Sequence, residues 1–552
     1  LSPLAIQQRH DEAFDVEAVT KQFFIEYRSV FQLLQDDLTC QTKDKGWAHD
    51  YALQFLNRCM FLYFIQRKRW LGQDNEFLYT FWKAYKESKG PADTFFSKWL
   101  KVLFFDAFNR KGTAHHRHLP ENIRAILATA PYLNGGLFTP NGLDDEDRHS
   151  FVVSDARFAQ VFKFLERYNF TITEDSPLDQ EVAVDPEMIG KVYESLVKVS
   201  SEADERGDVG IFYTPRTEID LMCRLALVDQ LSNHVGDKHR NLFYEVVFAI
   251  EPDEKLTADA AVAKEGLWPA VTETLRSLAV VDPACGSGSF LVGMLYILDD
   301  LQNRAQAHGV AKESAFDRRK RIIGQNLYGV DVMDWACHVA ELRLWLALVV
   351  DAEFSQAELS IRKEPLLPHF TFKIRQGDSL VQEVGGVNLG RLHTSRDIKP
   401  ALKARITAFK HEKLTFYQNT PDRKYRTADQ IRQEERRLFR DILDAHVDAI
   451  EAEIKSNRQW LDGKTANLFG EQVAADAKLD SAKQRAVFEA KTRELSMALE
   501  KARAARAALK TVQNVPFVWD IAFVEVFEDE KGGFDIVIGN PPYVRKENIA
   551  DP

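Results

Sequence analysis

The chain has 552 residues, 45% hydrophobic and 28% charged, with a formal net charge of −11. That length exceeds one hydrophobic core and implies three or four structural units, and the composition is that of a globular protein, not a disordered or fibrous one. Five scattered cysteines (Cys40, Cys59, Cys223, Cys285, Cys337) without a CxxC pair argue against a zinc site and for a reducing compartment, and the acidic balance argues against nucleic-acid binding over the whole surface while leaving local basic patches open.

From Asp15 to Leu100 the pattern is helical. Phe24, Tyr27, Phe31 and Leu34 fall on one face, and Trp47 to Leu71 is apolar almost all round. Tyr51 to Leu71 also holds Asn57, Arg58, Gln66 and Arg67-Lys68-Arg69, so it reads as a buried helix and not a membrane span. No secretory signal is visible, and a start at Leu1 leaves upstream residues expected. Arg110 to Arg124, with His115, His116 and His118, reads as a solvated basic loop leading into a helix. A metal is disfavoured there for want of carboxylate or cysteine at ligand spacing, and contact with a phosphate backbone stays open. Pro131 to Phe138 is a glycine-centred turn. Asp185-Pro186-Glu187 starts a helix, with Asp as cap and Met188, Val192, Leu196 and Val197 as its apolar stripe. Ser200 to Asp208 reads as a linker, which sets a helical N-terminal domain at 1–200 and a second domain at 206–552.

After a helix from Thr217 to Leu231 the period changes. Leu278–Val281, Leu327–Val330, Phe370–Ile374 and Phe534–Ile538 each look like a short buried strand, and helical stretches separate them. That alternation implies a parallel, doubly wound α/β sheet of Rossmann-like form. Between the third and fourth strands, 399–510 is mostly helical. Ile431, Leu438, Ile442, Val447, Ile450 and Ile454 form one stripe, and a break near Trp460–Gly463 suggests an inserted helical hairpin. Lys399 to Arg440 holds 12 Lys/Arg against 5 Asp/Glu, a solvated face or a track for a phosphate backbone.

Chemistry concentrates at the strand ends. Val281-Asp282-Pro283-Ala284-Cys285-Gly286-Ser287-Gly288-Ser289-Phe290 follows the first strand and opens a helix. Two glycines let its backbone turn tightly and approach a ligand. Leu291 replaces the third glycine of the dinucleotide fingerprint, so a pyrophosphate is not the natural guest. Asp331 ends the second strand, suited to ribose hydroxyls, and Asp378 lies just past the third, suited to an exocyclic amine. Singly each carboxylate reads equally well as a helix cap. Three of them beside a Gly-x-Gly loop favour a nucleoside-bearing cofactor. The fourth strand runs into Asn540-Pro541-Pro542-Tyr543, an amide, a stiffened carbonyl and an aromatic face at the edge where open α/β sheets bind ligands.

The glycine loop together with Asn540-Pro541-Pro542-Tyr543 resembles the S-adenosylmethionine-dependent DNA adenine-N6 methyltransferases. Phe212-Tyr213-Thr214-Pro215 upstream is similar to their additional cofactor-contacting motif, and the order of motifs matches the gamma class. Phe61–Leu71, Leu133–Phe138, Asp185–Leu196 and Trp519–Phe527 resemble the large methylases of type IIG restriction–modification and phage-defence systems. The resemblance implies an α/β methyltransferase preceded by a mainly α-helical domain. Phe212, Tyr213, Thr214, Asp282, Pro283, Ala284, Gly286 and Gly288 would border the methionine part of S-adenosylmethionine. Asp331 would hold the ribose, Asp378 and Ser379 the adenine, and Asn540, Pro541, Pro542 and Tyr543 the flipped target base.

It also implies double-stranded DNA as partner, further restriction or defence subunits, a prokaryotic cytoplasmic setting, and no metal. Cys285 does not sit where a cytosine-methylating nucleophile would. A methyltransferase acting on a protein glutamine or on RNA, or a non-catalytic DNA-binding scaffold, remains the rival reading. A nuclease at Asp74 with Glu87-Ser88-Lys89 is disfavoured because those residues lie in a helical stretch. With nine residues after Tyr543, the sheet and a recognition domain are expected to continue beyond Pro552.

Overall fold

The computed structural model describes residues 16–109, 116–133, 137–170, 183–184, 214–349, 352–361, 366, 372–384, 387–388, 399–417, 420, 422–461, 464–466, 472–474, 482–511, 517–527 and 532–541. They divide between two compact units, residues 1–376 with 534–552, and residues 377–533. The helix start at Asp185–Glu187, the linker at 200–208 and His115 lie outside the described residues.

In the first unit α1 (Val16–Thr42) packs on α2 (Lys45–Arg67). The buried stripe of α1 is Phe23, Tyr27, Phe31, Leu34 and Leu38. Phe24 is half-exposed, so the stripe starts one residue earlier than the sequence suggests. Asp44 caps α2 by accepting from the Trp47 N–H at 3.0 Å. Almost every residue of α2 from Trp47 to Gln66 is buried, Arg58 among them. That buried guanidinium is tolerated because Asp144 binds it through both oxygens, at 2.7 and 2.9 Å, and the Leu137 carbonyl accepts from Nε at 2.7 Å. No helix among the described residues is long and apolar enough to cross a membrane.

Of the histidine loop, residues 110–115 lie outside the described residues, and Arg117 and His118 are exposed, as a solvated loop predicts. His116 Nε2 lies 2.8 Å from Asp106, and His118 Nε2 lies 2.7 Å from the Lys98 carbonyl. Both rings tie the loop to the π-helical turns Phe95–Leu100 and Val102–Ala107. No group of three or more His, Cys, Asp or Glu gathers at metal-binding distance among the described residues.

The sheet of this unit has four parallel strands: β1 (Val280–Asp282), β2 (Leu327–Asp331), β3 (Ile374–Gln376) and β4 (Ile536–Val537), in the order β4-β1-β2-β3. Each falls where the apolar runs predict, except that β3 starts at Ile374; Phe372 is buried ahead of the ladder. The chain steps outward from β1 to β2 to β3 and returns to the opposite side of β1 with β4. The β1/β4 boundary is therefore a topological switch point, the place at whose carboxyl ends open α/β sheets bind ligands. Register fixes that edge: Ile536 pairs with Val280 and Val537 with Val281. Asp535 pins it by accepting from the Ala279 N–H at 2.8 Å, and its carbonyl accepts from Gln230 on α3 (Arg216–Val235). The helix α4 (Ser289–Ala305) follows the glycine loop and α5 (Asp334–Val349) follows β2. Gly293 on α4 gives α3 room, since a Cβ there would sit 2.7 Å from Ile219.

The second unit is mostly helical: α6 (Pro400–Tyr417), α7 (Ala428–Leu461) and α8 (Ala482–Thr511). Ile431, Leu438, Ile442, Val447, Ile450 and Ile454 are all buried, as the stripe predicts. Ion pairs Glu453–Lys491, Glu451–Arg503 and Asp444–Arg506 run in opposite sequence directions, so α7 and α8 are antiparallel. An antiparallel ladder, Lys464–Ala466 with Gln472–Ala474, lies between them in sequence.

Candidate active site

The glycine loop leaves β1 and turns into α4 through two left-handed residues, Gly286 (φ +51°) and Gly288 (φ +81°). They are glycines for different reasons. A Cβ at Gly288 would lie 2.9 Å from Ala340 Cβ and 3.1 Å from its Cα, so the loop is pressed onto α5. A Cβ at Gly286 would meet nothing within 4 Å, so this position borders open space. Between them Ser287 is buried, and the Cys285 N–H donates to the Val330 carbonyl at 2.9 Å. Cys285 is buried as well, and burial pushes its thiol well above the ordinary range. It is no nucleophile.

Two carboxylates frame the loop. Asp331 Oδ2 accepts from the Gly286 N–H at 2.8 Å, and Oδ1 from Met333 N–H at 2.9 Å. Burial nevertheless holds its carboxyl above the usual range, with those two bonds opposing. Asp282 is 1% exposed, and burial raises it to about 7; the Ala284 N–H, donating at 3.1 Å, pulls it down and the Asp331 charge pushes it up. Gly539 lies against it: a Cβ there would be 2.4 Å from Asp282 Oδ1. The first and fourth strand ends thus close on one carboxyl group.

Asn540 follows directly. Its Nδ2 donates to Thr214 Oγ1 at 3.1 Å. Thr214 stands just ahead of α3, which is held on α4 at Gly293. With the amide NH₂ group engaged, the Asn540 side-chain oxygen is left as an oriented acceptor at the switch point. Asn540 is half-buried and Pro541 exposed.

The structure therefore gathers Thr214, Asp282, Pro283, Ala284, Gly286, Gly288, Asp331 and Asn540 in the first unit. Phe212, Tyr213, Pro542 and Tyr543 lie outside the described residues. Asp378 and Ser379 belong to the second unit. There Asp378 is exposed and accepts from the Leu380 and Val381 N–H groups at 2.9 and 3.1 Å, the geometry of a turn-capping carboxylate. The Ser379 carbonyl accepts from Trp519 Nε1 at 3.1 Å. Asp74 is likewise a cap, accepting from Glu76 N–H at 2.8 Å and Thr80 Oγ1 at 2.7 Å.

Sequence reasoning passed over three residues. Val332 and Met333, directly after Asp331, are 60% and 37% exposed, an apolar face beside the carboxylate. Arg343 is 4% exposed on α5 and lies under the loop. Its Nη1 donates to the Ser287 carbonyl at 3.0 Å, Ser287 Oγ at 3.1 Å and Ser289 Oγ at 2.8 Å. The signal for it was one arginine inside the apolar run Leu342–Val350. Arg343→Met is expected to lower the urea-unfolding free energy by about 3 kcal/mol, since three buried acceptors lose a charged donor. Arg343→Lys keeps three N–H donors and should recover part of that loss.

Known proteins share this arrangement of sequence. The Eco57I restriction-modification methylase family matches residues 325–552, and the DNA-methyltransferase domain of MmeI matches residues 259–384. A protein of Methanocaldococcus jannaschii described as a type II restriction enzyme and methyltransferase is 28% identical over 96% of this chain and 46% of its own length. DNA methyltransferase A of Bacillus subtilis is 22% identical over 49% of this chain and 26% of its own. The chain thus spans less than half the length of these curated relatives. Among solved structures, the type IIL restriction-modification enzyme MmeI in complex with DNA is 16% identical, with a TM-score of 0.41 over 70% of this chain and 45% of MmeI. By sequence, residues 325–552 of the chain are similar to the Eco57I restriction-modification methylase family.

Proposed function

We propose that the chain carries the cofactor crevice and acceptor clamp of a DNA adenine-N6 methyltransferase of a type IIG restriction–modification or phage-defence system, with S-adenosylmethionine as donor. The observation that carries this reading is the hydrogen bond from Asn540 to Thr214 at the switch point, beside the glycine loop and Asp282. The residues suit that donor. Gly286 borders open space, each Asp331 oxygen retains a lone pair for a ribose hydroxyl, and Val332 and Met333 present an apolar face to a purine. S-adenosylmethionine would supply a methyl group already activated on sulfur.

An adenine amine is a poor nucleophile because its lone pair is delocalised into the ring. The Asn540 side-chain oxygen and the Pro541 carbonyl accept from its two N–H groups and draw the nitrogen toward a tetrahedral, nucleophilic form. Thr214 holds the amide in the acceptor orientation. Tyr543 offers a stacking face worth about 1–3 kcal/mol, comparable to the few kcal/mol that extruding a base costs. The domain division at about residue 200 and the helical insertion at 399–510 belong to the same reading, as do the adenine contacts of Asp378 and Ser379.

Isothermal titration with S-adenosylmethionine tests the crevice. Gly286→Leu fills the open space and should remove measurable binding. Asp331→Ala should weaken it about 10–100-fold, the value of one or two charge-assisted hydrogen bonds. Unchanged affinity in both variants removes the cofactor site. Methyl incorporation into DNA, and not into protein or RNA, tests the acceptor.

A further inference from the structure

The basic segment 399–440 takes no part in that chemistry. In the second unit its charges are unevenly matched. Arg405 pairs with Glu434 and Asp441, Arg437 with Glu434, Lys424 with Glu412, and Lys413 is buried near Glu435 and Glu525. Lys399, Lys403, Arg426, Arg436 and Arg440 are exposed, and none has a carboxylate partner among the described residues. Against them, among the described side chains of that segment, stands one exposed carboxylate without an ion-pair partner, Asp422.

The unevenness is local. Where α7 lies against α8, its acids Asp444, Glu451 and Glu453 each meet a cation of the partner helix. N-terminal to Asp444 the acids Glu434, Glu435 and Asp441 are also matched, by Arg405, Arg437 and Lys413, and Arg436 and Arg440 are left over. Arg436 and Arg440 stand one turn apart on the same face of α7, where like charges repel and weaken a helix. A self-contained solvated face would intersperse both signs, as the α7–α8 seam does. A face left with surplus cations in a chain of net charge −11 is suited to an external polyanion. Arginines at that spacing present guanidinium groups about 6 Å apart along the helix axis, and arginine binds phosphate oxygens in bidentate fashion.

We propose that the exposed cations of 399–440, with Arg436 and Arg440 on α7 at their core, form a contact surface for the phosphate backbone of duplex DNA. This rests on the DNA reading above and adds a binding surface that is independent of the acceptor clamp. Such contacts hold DNA without reading its sequence, and they release counterions, so their number appears in the salt dependence of affinity.

The test is fluorescence anisotropy of a labelled duplex lacking any methylation site, titrated with the full chain at several salt concentrations. The Arg436→Gln/Arg440→Gln variant should flatten the log–log salt slope by about 2, near 0.9 per lost phosphate contact. Lys491→Gln/Arg503→Gln removes the same charge from paired positions and should leave the slope unchanged. Far-UV circular dichroism checks that α7 and α8 persist in each. An unchanged slope in the first variant, an equal change in both, or no binding by the parent chain overturns the surface. Tighter binding of duplex RNA, with the slope change seen there alone, reassigns it and overturns the DNA proposal. Asn540→Ala should keep the parent slope, so loss of methylation and loss of this surface are read separately.

Discussion

Asn540→Ala is expected to reduce methyl transfer to DNA by about 10²–10³-fold in kcat, the usual consequence of deleting one preorganised polar group at a reacting centre. The Pro541 carbonyl remains, so one acceptor for the amine survives and the loss is not total. Affinity for S-adenosylmethionine should stay within about twofold, because the proposed role of Asn540 is in holding the acceptor and not the donor. Thr214→Val separates orientation from chemistry. It keeps the shape, removes the oxygen that accepts from Asn540 Nδ2, and should cost about tenfold in kcat, the worth of one neutral hydrogen bond. Thr214→Ser should restore the rate. A kcat unchanged in Thr214→Val, measured by tritiated-methyl incorporation, would falsify the orienting role.

The second large effect is in pH. Burial raises the Asp282 carboxyl from 3.8 to about 7. A folded-state pKa above the unfolded one means the native state holds the proton more tightly. The stability contributed is fully present below pH 3.8 and is lost as pH rises through about 7. A shift of that size is worth roughly 4 kcal/mol at most. Urea unfolding of the ligand-free chain should therefore show stability falling from about pH 4 to about pH 7 and levelling off above it. Asp282→Asn should flatten that profile, because an amide has no charge to bury. A cationic ligand beside the carboxylate draws off its proton. Affinity for a sulfonium should then rise about tenfold per pH unit up to the carboxyl pKa, with proton release that calorimetry in two buffers detects. A binding constant indifferent to pH across that window separates Asp282 from the cation.

Much of this site is legible in the sequence because its carriers are local. Four apolar runs ending in Asp282, Asp331, the turn at Asp378 and Asn540 mark strand ends, and two glycines one residue apart require left-handed backbone. The bond between Thr214 and Asn540 joins residues 326 positions apart, and no spacing rule foretells it. It arises because Gly293 admits α3 against α4 and Asp535 anchors β4 beside β1. Arg343 escaped notice because an arginine in an apolar helix looks like an interruption until its acceptors are seen. Asp378 shows the reverse. Its place after a strand matches that of Asp331, yet its Oδ1 accepts from two N–H groups of its own turn. His118 is exposed, as read, but a histidine-rich loop carries no sign of the partners, Asp106 and the Lys98 carbonyl, that His116 and His118 find.

The second unit interrupts the sheet between β3 and β4, and its two ends meet within it. Gly377 leaves no room beside Phe517, where a Cβ would fall 2.3 Å from the ring's own Cβ; the Ser379 carbonyl and the Gln382 side chain both engage Trp519. A flexible tether of that length would add about 0.6 kcal/mol per doubling of length to the entropy cost of closing β4 onto β1. Folded, the unit holds Phe517 and Trp519 beside Gly377, Ser379 and Gln382. During synthesis β1, β2 and β3 emerge first, with the glycine loop and Asp331, while Asn540 arrives only after the inserted unit is made. Maturation of the acceptor clamp should accordingly be the slow phase of refolding, and substitutions that loosen the Gly377–Phe517 clasp should slow it further.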